Sequence, residues 1–106
     1  MIKQEDKVPR VMWKMNLLQR AMDTWGVDAQ MDMVVEECAE LIMAIQHYKR
    51  NRVDINKIGE EMADVKIMID QFHTIDALSN TIHIKEMEKL TRLKERLDAH
   101  DAKVKT

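Results

Sequence analysis

Residues that form turns are scarce in this chain, and their scarcity limits the folds open to it. The 106 residues include only two glycines and one proline, fewer of each than globular proteins of this length usually contain. Because these residues supply the backbone angles of tight turns, the chain can change direction only a few times. It is also rich in Glu, Lys, Leu and Ala, which favour helices. We therefore expect an all-α fold of a few long helices in one domain, residues 1–106.

Apolar residues recur at steps of three and four along four segments, which is the period of a helix with one buried face. Each segment begins at a residue type suited to a helix N-terminus, namely proline, aspartate, serine or asparagine. The tripeptide Thr24-Trp25-Gly26 breaks the pattern, and the polar ends 1–8 and 99–106 are predicted to fray. The predicted helices run from about Pro9 to Asp23, from Asp28 to His47–Arg52, from Asp54 to about Asp76, and onward from Ser79 or Asn80.

The apolar stripes of the second and third predicted helices are expected to form the core. A chain this short, drawn into long helices, buries only a limited core by itself. We therefore expect oligomerisation, as a homodimer or homotetramer, to complete the core. The stripe residues are Met31, Val34, Val35, Cys38, Leu41, Ile42 and Ile45 on the second helix, and Ile58, Met62, Val65, Ile69 and Phe72 on the third.

Charge and cysteine content narrow the classes of partner. With 17 basic and 19 acidic residues the net charge is -2, so no overall positive field favours binding to a nucleic acid polymer. Cys38 is the only cysteine, which excludes an intramolecular disulfide and fits a reducing compartment. The first ten residues lack the apolar core of a signal peptide, and no apolar run approaches the ~20 residues that span a membrane. We expect a cytoplasmic protein that is not embedded in a membrane.

Two pairs of acidic residues border the apolar stripes. Glu37 and Glu40 are three residues apart, as are Glu61 and Asp64, and helix residues at that spacing are neighbours on one face. Each pair therefore projects two carboxylates in the same direction. If the second and third helices pack antiparallel, the four carboxylates converge.

Four carboxylates in a partly dry site repel one another unless they protonate, pair with basic groups or bind cations. Oxygen ligands without cysteine or histidine suit Mg²⁺ or Mn²⁺, and Mg²⁺ in proteins commonly shares substrate phosphates. Such an ion neutralises phosphate charge and activates a bound water molecule. The alternative is that these acids are solvated, or paired with Lys or Arg on the helix surface.

The two acidic segments read Glu36-Glu37-Cys38-Ala39-Glu40-Leu41 and Glu60-Glu61-Met62-Ala63-Asp64-Val65, with twenty residues between Glu40 and Glu61. This pattern of E-x-x-E, a spacer and E-x-x-D resembles the MazG-like nucleoside triphosphate pyrophosphohydrolases. That all-α superfamily also includes dimeric dUTPases and phosphoribosyl-ATP pyrophosphatases. The resemblance extends over about residues 25–96.

The resemblance implies a MazG-like helical bundle that cleaves the bond between the α and β phosphates of a nucleotide. The products would be a nucleoside monophosphate and pyrophosphate, and Mg²⁺ would be required, with Mn²⁺ as a possible substitute. The metal ligands and catalytic residues would be Glu37, Glu40, Glu61 and Asp64. Removal of non-standard or excess nucleotides is the cellular role implied.

Basic residues of the fourth helix are candidates for contact with the substrate phosphates. Members of the superfamily often carry basic residues after the second acidic motif, and Lys89 and Arg92 hold that place here. Some members have a lysine–asparagine pair before the arginine. The sequence Lys89-Leu90-Thr91-Arg92 lacks the asparagine, so the resemblance does not identify the substrate or the residues that contact it. The alternative is a solvated stripe, with Lys85 and Arg96, that pairs with nearby glutamates.

Two further alternatives stay open. The chain could be a phosphoribosyl-ATP pyrophosphatase of the same superfamily, or a helical module that associates with proteins and catalyses nothing. Trp13 and Trp25 could stack on a base, although packing in a core or interface is the commoner role of tryptophan.

Overall fold

The computed structural model describes residues 9–105, and these form four α-helices without any strand. The prediction of an all-α fold with four helices is confirmed. The expected fraying of residues 1–8, and of Thr106, lies outside the described residues. The helices are α1 (Arg10–Trp25), α2 (Val27–Lys49), α3 (Ile55–Phe72) and α4 (Asp76–Lys105).

The chain divides into two compact units. The first ends at Thr74 and contains α1, α2 and α3, of which α2 and α3 make the most extensive contact. The second unit begins at Ile75 and contains α4. Among residues 9–105, no helix has the length and hydropathy of a membrane span.

A single residue, Gly26, separates α1 from α2. Its backbone angles are φ 88° and ψ 161°, a conformation open almost only to glycine, and its N–H donates to the carbonyl oxygen of Met22 at 2.9 Å. The predicted break is thus confirmed at Gly26, whereas Thr24 and Trp25 still belong to α1. The prediction of Asp28 as N-cap is wrong, because α2 begins at Val27 and Asp28 lies within its first turn.

Residues 50–54 link α2 to α3. Because this link is so short, α3 runs antiparallel to α2. The side chain of Asp54 accepts a hydrogen bond of 3.0 Å from the backbone N–H of Asn56. Asp54 is therefore the N-cap of α3, as predicted.

The boundary between α3 and α4 differs from the prediction. The backbone N–H of His73 donates to the carbonyl oxygen of Asp70, and that of Thr74 donates to Gln71, both at 3.1 Å. These three-residue turns end α3 at Phe72, before the expected Asp76. The fourth helix begins at Asp76 instead of Ser79 or Asn80, and it includes residues 99–105, where fraying was predicted.

The core of the first unit differs from the predicted apolar seam. Five residues of the predicted stripes are 45–70% exposed, so their assignment to the core is wrong within this chain; they are Met31, Val35, Ile42, Met62 and Ile69. Ile58 and Phe72 of the predicted stripe are buried as expected, but the interior also contains Glu61 and the polar side chain of Gln71, which the prediction did not include. The buried apolar residues are Leu18, Met22, Ala44, Ile58, Met68 and Phe72.

A shared ion pair ties α1 to α3. Oδ2 of Asp70 lies 2.6 Å from Nζ of Lys14 on α1 and 2.8 Å from Nζ of Lys66 on α3. Partial burial acts to raise the pKa of Asp70, but the hydrogen bonds from Lys14 and Lys66 outweigh it and lower that pKa below its ordinary value. The contact therefore favours the ionised carboxylate.

The helix α4 has no buried residue over its full length, Asp76–Lys105. Large apolar side chains nevertheless recur along it at three- and four-residue steps. Most helical stability in proteins comes from packing of an apolar face. A helix without buried side chains is therefore stabilised by little more than its intrinsic helix propensity. The exposed apolar residues include Ile84, Met87, Leu90, Leu93 and Leu97.

Candidate metal centre

Four carboxylates meet between α2 and α3. Glu37, Glu40, Glu61 and Asp64 each offer one oxygen atom, and these four atoms all lie within 4.8 Å of one another. The predicted convergence of the two acidic pairs is confirmed. Their sequence spacing explains it, because each pair occupies adjoining turns of one helix and the two helices run antiparallel.

The cluster is buried at one end and open at the other. Glu61 is only 5% exposed, Glu37 and Asp64 are half-buried, and Glu40 is exposed. Water and small ions can therefore approach from the side of Glu40, while Glu61 forms the floor.

Two oxygen atoms of the cluster are buried with no hydrogen-bond partner among the described residues, namely Oε2 of Glu37 and Oε2 of Glu61. Such an atom costs about 1–3 kcal/mol in a neutral group and more in a charged one. Buried polar atoms in folded proteins are nearly always paired. Each of these two oxygen atoms can therefore accept a hydrogen bond or bind a cation that enters the cluster.

Burial and mutual repulsion favour protonation within the cluster. Burial, followed by the charges of Glu40, Asp64 and Glu61, raises the pKa of Glu37 above its ordinary value. Burial and then the charge of Glu61 raise the pKa of Glu40 in the same way. The cluster thus carries more negative charge than its surroundings balance.

Lys57 is the basic residue in contact with the cluster. Its Nζ lies 3.0 Å from Oε1 of Glu61 and 3.7 Å from Oε2 of Glu60, and the hydrogen bond to Glu61 raises the pKa of the lysine. Within residues 9–105, one ammonium group faces four carboxylates, so the expected pairing with basic residues applies there to Glu61 alone. The i, i+4 spacing of Lys57 and Glu61 was the sequence signal for this pair.

The donor set fits a hard divalent cation. Magnesium takes oxygen ligands at about 2.0–2.1 Å, so two ligands on opposite sides of one ion lie about 4 Å apart. The spacing of the four carboxylate oxygens is close to that requirement. Zinc sites, in contrast, are built mainly from cysteine and histidine.

The basic candidates lie on α4, in the second unit, where Lys89 and Arg92 are both exposed. Arg92 lines an open surface hollow of about 430 Å³ together with Glu88 and Glu95. Nζ of Lys85 lies 3.3 Å from Oε2 of Glu88, so the expected pairing with nearby glutamates holds for Lys85.

The sequence did not indicate the buried amides of Gln30 and Gln71, because glutamine on a helix is ordinarily exposed. Both lie on the face that α2 and α3 share with the acidic cluster. The four clustered carboxylates can bind a divalent cation.

Comparison of the chain with family models, with curated proteins and with solved structures gave no match.

Proposed function

We propose that this chain is a Mg²⁺-dependent nucleotide pyrophosphohydrolase. The observation that supports this most is the cluster of Glu37, Glu40, Glu61 and Asp64, in which two buried carboxylate oxygens lack partners. The resemblance of both acidic motifs to the MazG-like superfamily supplies the reaction. Water adds to a phosphorus atom of the α–β anhydride, the bridging bond breaks, and a nucleoside monophosphate and pyrophosphate leave.

The four carboxylates would hold the ion, with Mn²⁺ as a possible substitute. The ion would supply charge neutralisation at the phosphates and a lowered pKa of bound water. Glu40 is suited to accept the proton of the attacking water, because it is the exposed member of the cluster and its pKa is raised. Glu61, which is buried and paired with Lys57, is suited to a fixed ligand role.

Lys89 and Arg92 are the proposed contacts of the leaving phosphates. Guanidinium and ammonium groups bind phosphate oxygens through charge-assisted hydrogen bonds. Replacing both by alanine is expected to raise the KM for the nucleotide more than it lowers kcat. The matched control is Lys94→Ala on the same helix, whose ammonium group pairs with Asp98 at 2.6 Å and which is expected to leave KM unchanged.

We propose that the enzyme works as a homo-oligomer, a dimer or a tetramer, in the cytoplasm. The support is the apolar surface that one chain leaves exposed. On the antiparallel hairpin of α2 and α3, Val35, Ile42 and Met62 are 51–70% exposed. On α4, five large apolar side chains are 47–62% exposed, namely Ile84, Met87, Leu90, Leu93 and Leu97. Contiguous apolar surface beyond a few hundred Å² usually marks an interaction site. The single free thiol of Cys38 fits a reducing compartment.

A non-catalytic association module is the second candidate, and the observation that favours it is α4, a long helix with no buried residue. Metal dependence separates the two candidates. An enzyme of this type needs Mg²⁺ at the acidic cluster, whereas an association module keeps its partner in a chelator.

The deciding experiment measures pyrophosphate release from the common NTPs and dNTPs and from phosphoribosyl-ATP, with Mg²⁺ and with a chelator. We compare the wild type with Glu37→Gln, and use Glu36→Gln, an exposed neighbour, as the matched control. The proposal expects Mg²⁺-dependent release that Glu37→Gln abolishes and Glu36→Gln retains. Cleavage of phosphoribosyl-ATP alone would assign the chain to that branch of the superfamily. Absence of release from every substrate would overturn the enzymatic proposal.

A further inference from the structure

The first unit contains a cavity of about 740 Å³ where α1, α2 and α3 meet. Its walls are mainly apolar and include Leu18, Ala21, Met33 and Met68. Pockets that bind small molecules are usually about 300–1,000 Å³ and combine apolar walls with a few well-placed polar groups. This cavity has the size and the walls of such a pocket, and its polar groups are few.

The most informative of these polar groups is the side-chain amide of Gln71. The residue is only 2% exposed and lines the cavity, and within residues 9–105 its buried Nε2 has no hydrogen-bond partner. Leaving such a donor unpaired is costly, and folded proteins rarely do so. An acceptor atom on a bound molecule would satisfy it.

A second amide and an aromatic ring line the same cavity. Gln30 on α2 is 5% exposed and provides both donor and acceptor groups. Trp25, at the end of α1, is 64% exposed although it also lines the cavity. An indole in that position offers a flat surface on which a planar heterocycle can stack.

The cavity and the acidic cluster lie in succession along one face of the hairpin. Gln30 is seven residues before Glu37 on α2, and Gln71 is seven residues after Asp64 on α3. Seven residues make almost two full helical turns, so each pair shares a helix face at a separation of about 10 Å. The antiparallel helices therefore place both amides at the same side of the cluster, at a distance comparable to the length of a nucleoside.

We propose that this cavity binds the nucleobase of the substrate. The amide of Gln71 donates to a carbonyl oxygen or ring nitrogen of the base, Gln30 provides the second polar contact, and Trp25 covers one face of the ring. The inference rests on the proposed function, since it takes the acidic cluster as the site of the phosphates. It makes Gln71 a residue that determines which base is accepted.

Binding of nucleosides in a chelator tests the cavity without metal or hydrolysis. The four ribonucleosides and four deoxyribonucleosides are titrated against the full chain by calorimetry or ligand-observed NMR. We expect the wild type to prefer one base over the others, and Gln71→Leu to reduce that preference by about tenfold, as loss of a buried hydrogen bond predicts. Thermal melting verifies that the variant is folded.

Trp25→Ala provides an independent readout, because an exposed side chain can be removed without harming the core. Binding of every nucleoside should weaken in this variant, while Trp13→Ala, the matched control outside the cavity lining, should bind like the wild type. If no nucleoside binds to the wild type, or if neither cavity variant changes binding, the inference is overturned. Mg²⁺-dependent pyrophosphate release with an unchanged order of bases in Gln71→Leu would overturn it too, while the proposed function would stand.

Discussion

Nζ of Lys57 lies 3.0 Å from Oε1 of Glu61, one helical turn further along α3, and so contacts the most buried of the four clustered carboxylates. The same carboxylate would be a ligand of a divalent cation held by the cluster as proposed. The lysine therefore stabilises the metal-free cluster and opposes the entry of a second positive charge.

Replacing Lys57 by methionine should tighten Mg²⁺ binding. The substitution keeps the length and helix propensity of the side chain and removes its charge. Because Lys57 is nearly half exposed, the effect should be modest, about two- to fivefold in the Mg²⁺ dissociation constant measured by calorimetry. The same change at Lys66, which pairs with Asp70, serves as control and should leave the affinity unaltered. Weaker binding in Lys57→Met would contradict the opposing role.

Magnesium should stabilise the folded chain through the acidic cluster. At a concentration a hundredfold above its dissociation constant, a ligand that binds only the folded state adds about 2.7 kcal/mol to the free energy of unfolding. Differential scanning calorimetry should show a higher Tm with Mg²⁺ than with chelator for the wild type and for Glu36→Gln. In Glu37→Gln, Mg²⁺ should no longer raise the Tm. Without metal, the Tm of this variant should be no lower than that of the wild type, because the substitution relieves repulsion among the carboxylates. A Mg²⁺ effect that survives this substitution would place the ion elsewhere.

Asp70→Asn should destabilise the first unit and alter its acid response. The folded-state pKa of Asp70 is lowered, so its contribution to stability is complete above the ordinary aspartate pKa and is lost as the pH falls through the lowered value. At neutral pH the loss should be about 0.5–1 kcal/mol in the free energy of unfolding, given the partial exposure of both lysines. Urea denaturation at pH 7 and near pH 3 measures the free energy of unfolding of both proteins. The difference in this free energy between variant and wild type should shrink at the lower pH. A difference that is equal at both pH values would mean that the carboxylate charge is not responsible.

The two glycines should respond to alanine in opposite ways. Gly26→Ala forces a side chain into backbone angles that suit glycine alone, which should cost about 1–3 kcal/mol. Gly59 is helical and no atom lies within 4 Å of where a Cβ would stand, so Gly59→Ala should stabilise the chain by about 0.5–1 kcal/mol. Chemical denaturation of both variants gives the comparison. Stabilisation by Gly26→Ala would show that this corner of the chain is not strained.

Periodicity and spacing predicted much of the hairpin. The helical pattern indicated α2 and α3, Asp54 was identifiable as a cap, and the three-residue spacing of Glu37 with Glu40 indicated paired carboxylates. Helix starts were less certain. Ser79 and Asn80 have the chemistry of N-caps, yet the turns at His73 and Thr74 end α3 early and α4 already begins at Asp76.

The face on which the helices pack could not be read from the sequence. The apolar stripe of α2 is broad, since it includes Val34, Val35 and Ile42, so the sequence alone does not fix which rotation of α2 about its axis faces α3. Burial of Gln71 depends on neighbours in α1 and α2, and the contact of Lys14 with Asp70 joins residues 56 positions apart. Pairings of that separation have no local signature.

The antiparallel hairpin also restricts how this chain can vary. An insertion of one residue between Gln30 and Glu37 would turn one end of α2 by about 100° relative to the other and separate the amide from the carboxylate face. Substitutions in place leave the helical register intact. If the cavity binds the nucleobase as proposed, substitution of its side chains would alter base selectivity, while the number of residues between cavity and cluster stays fixed.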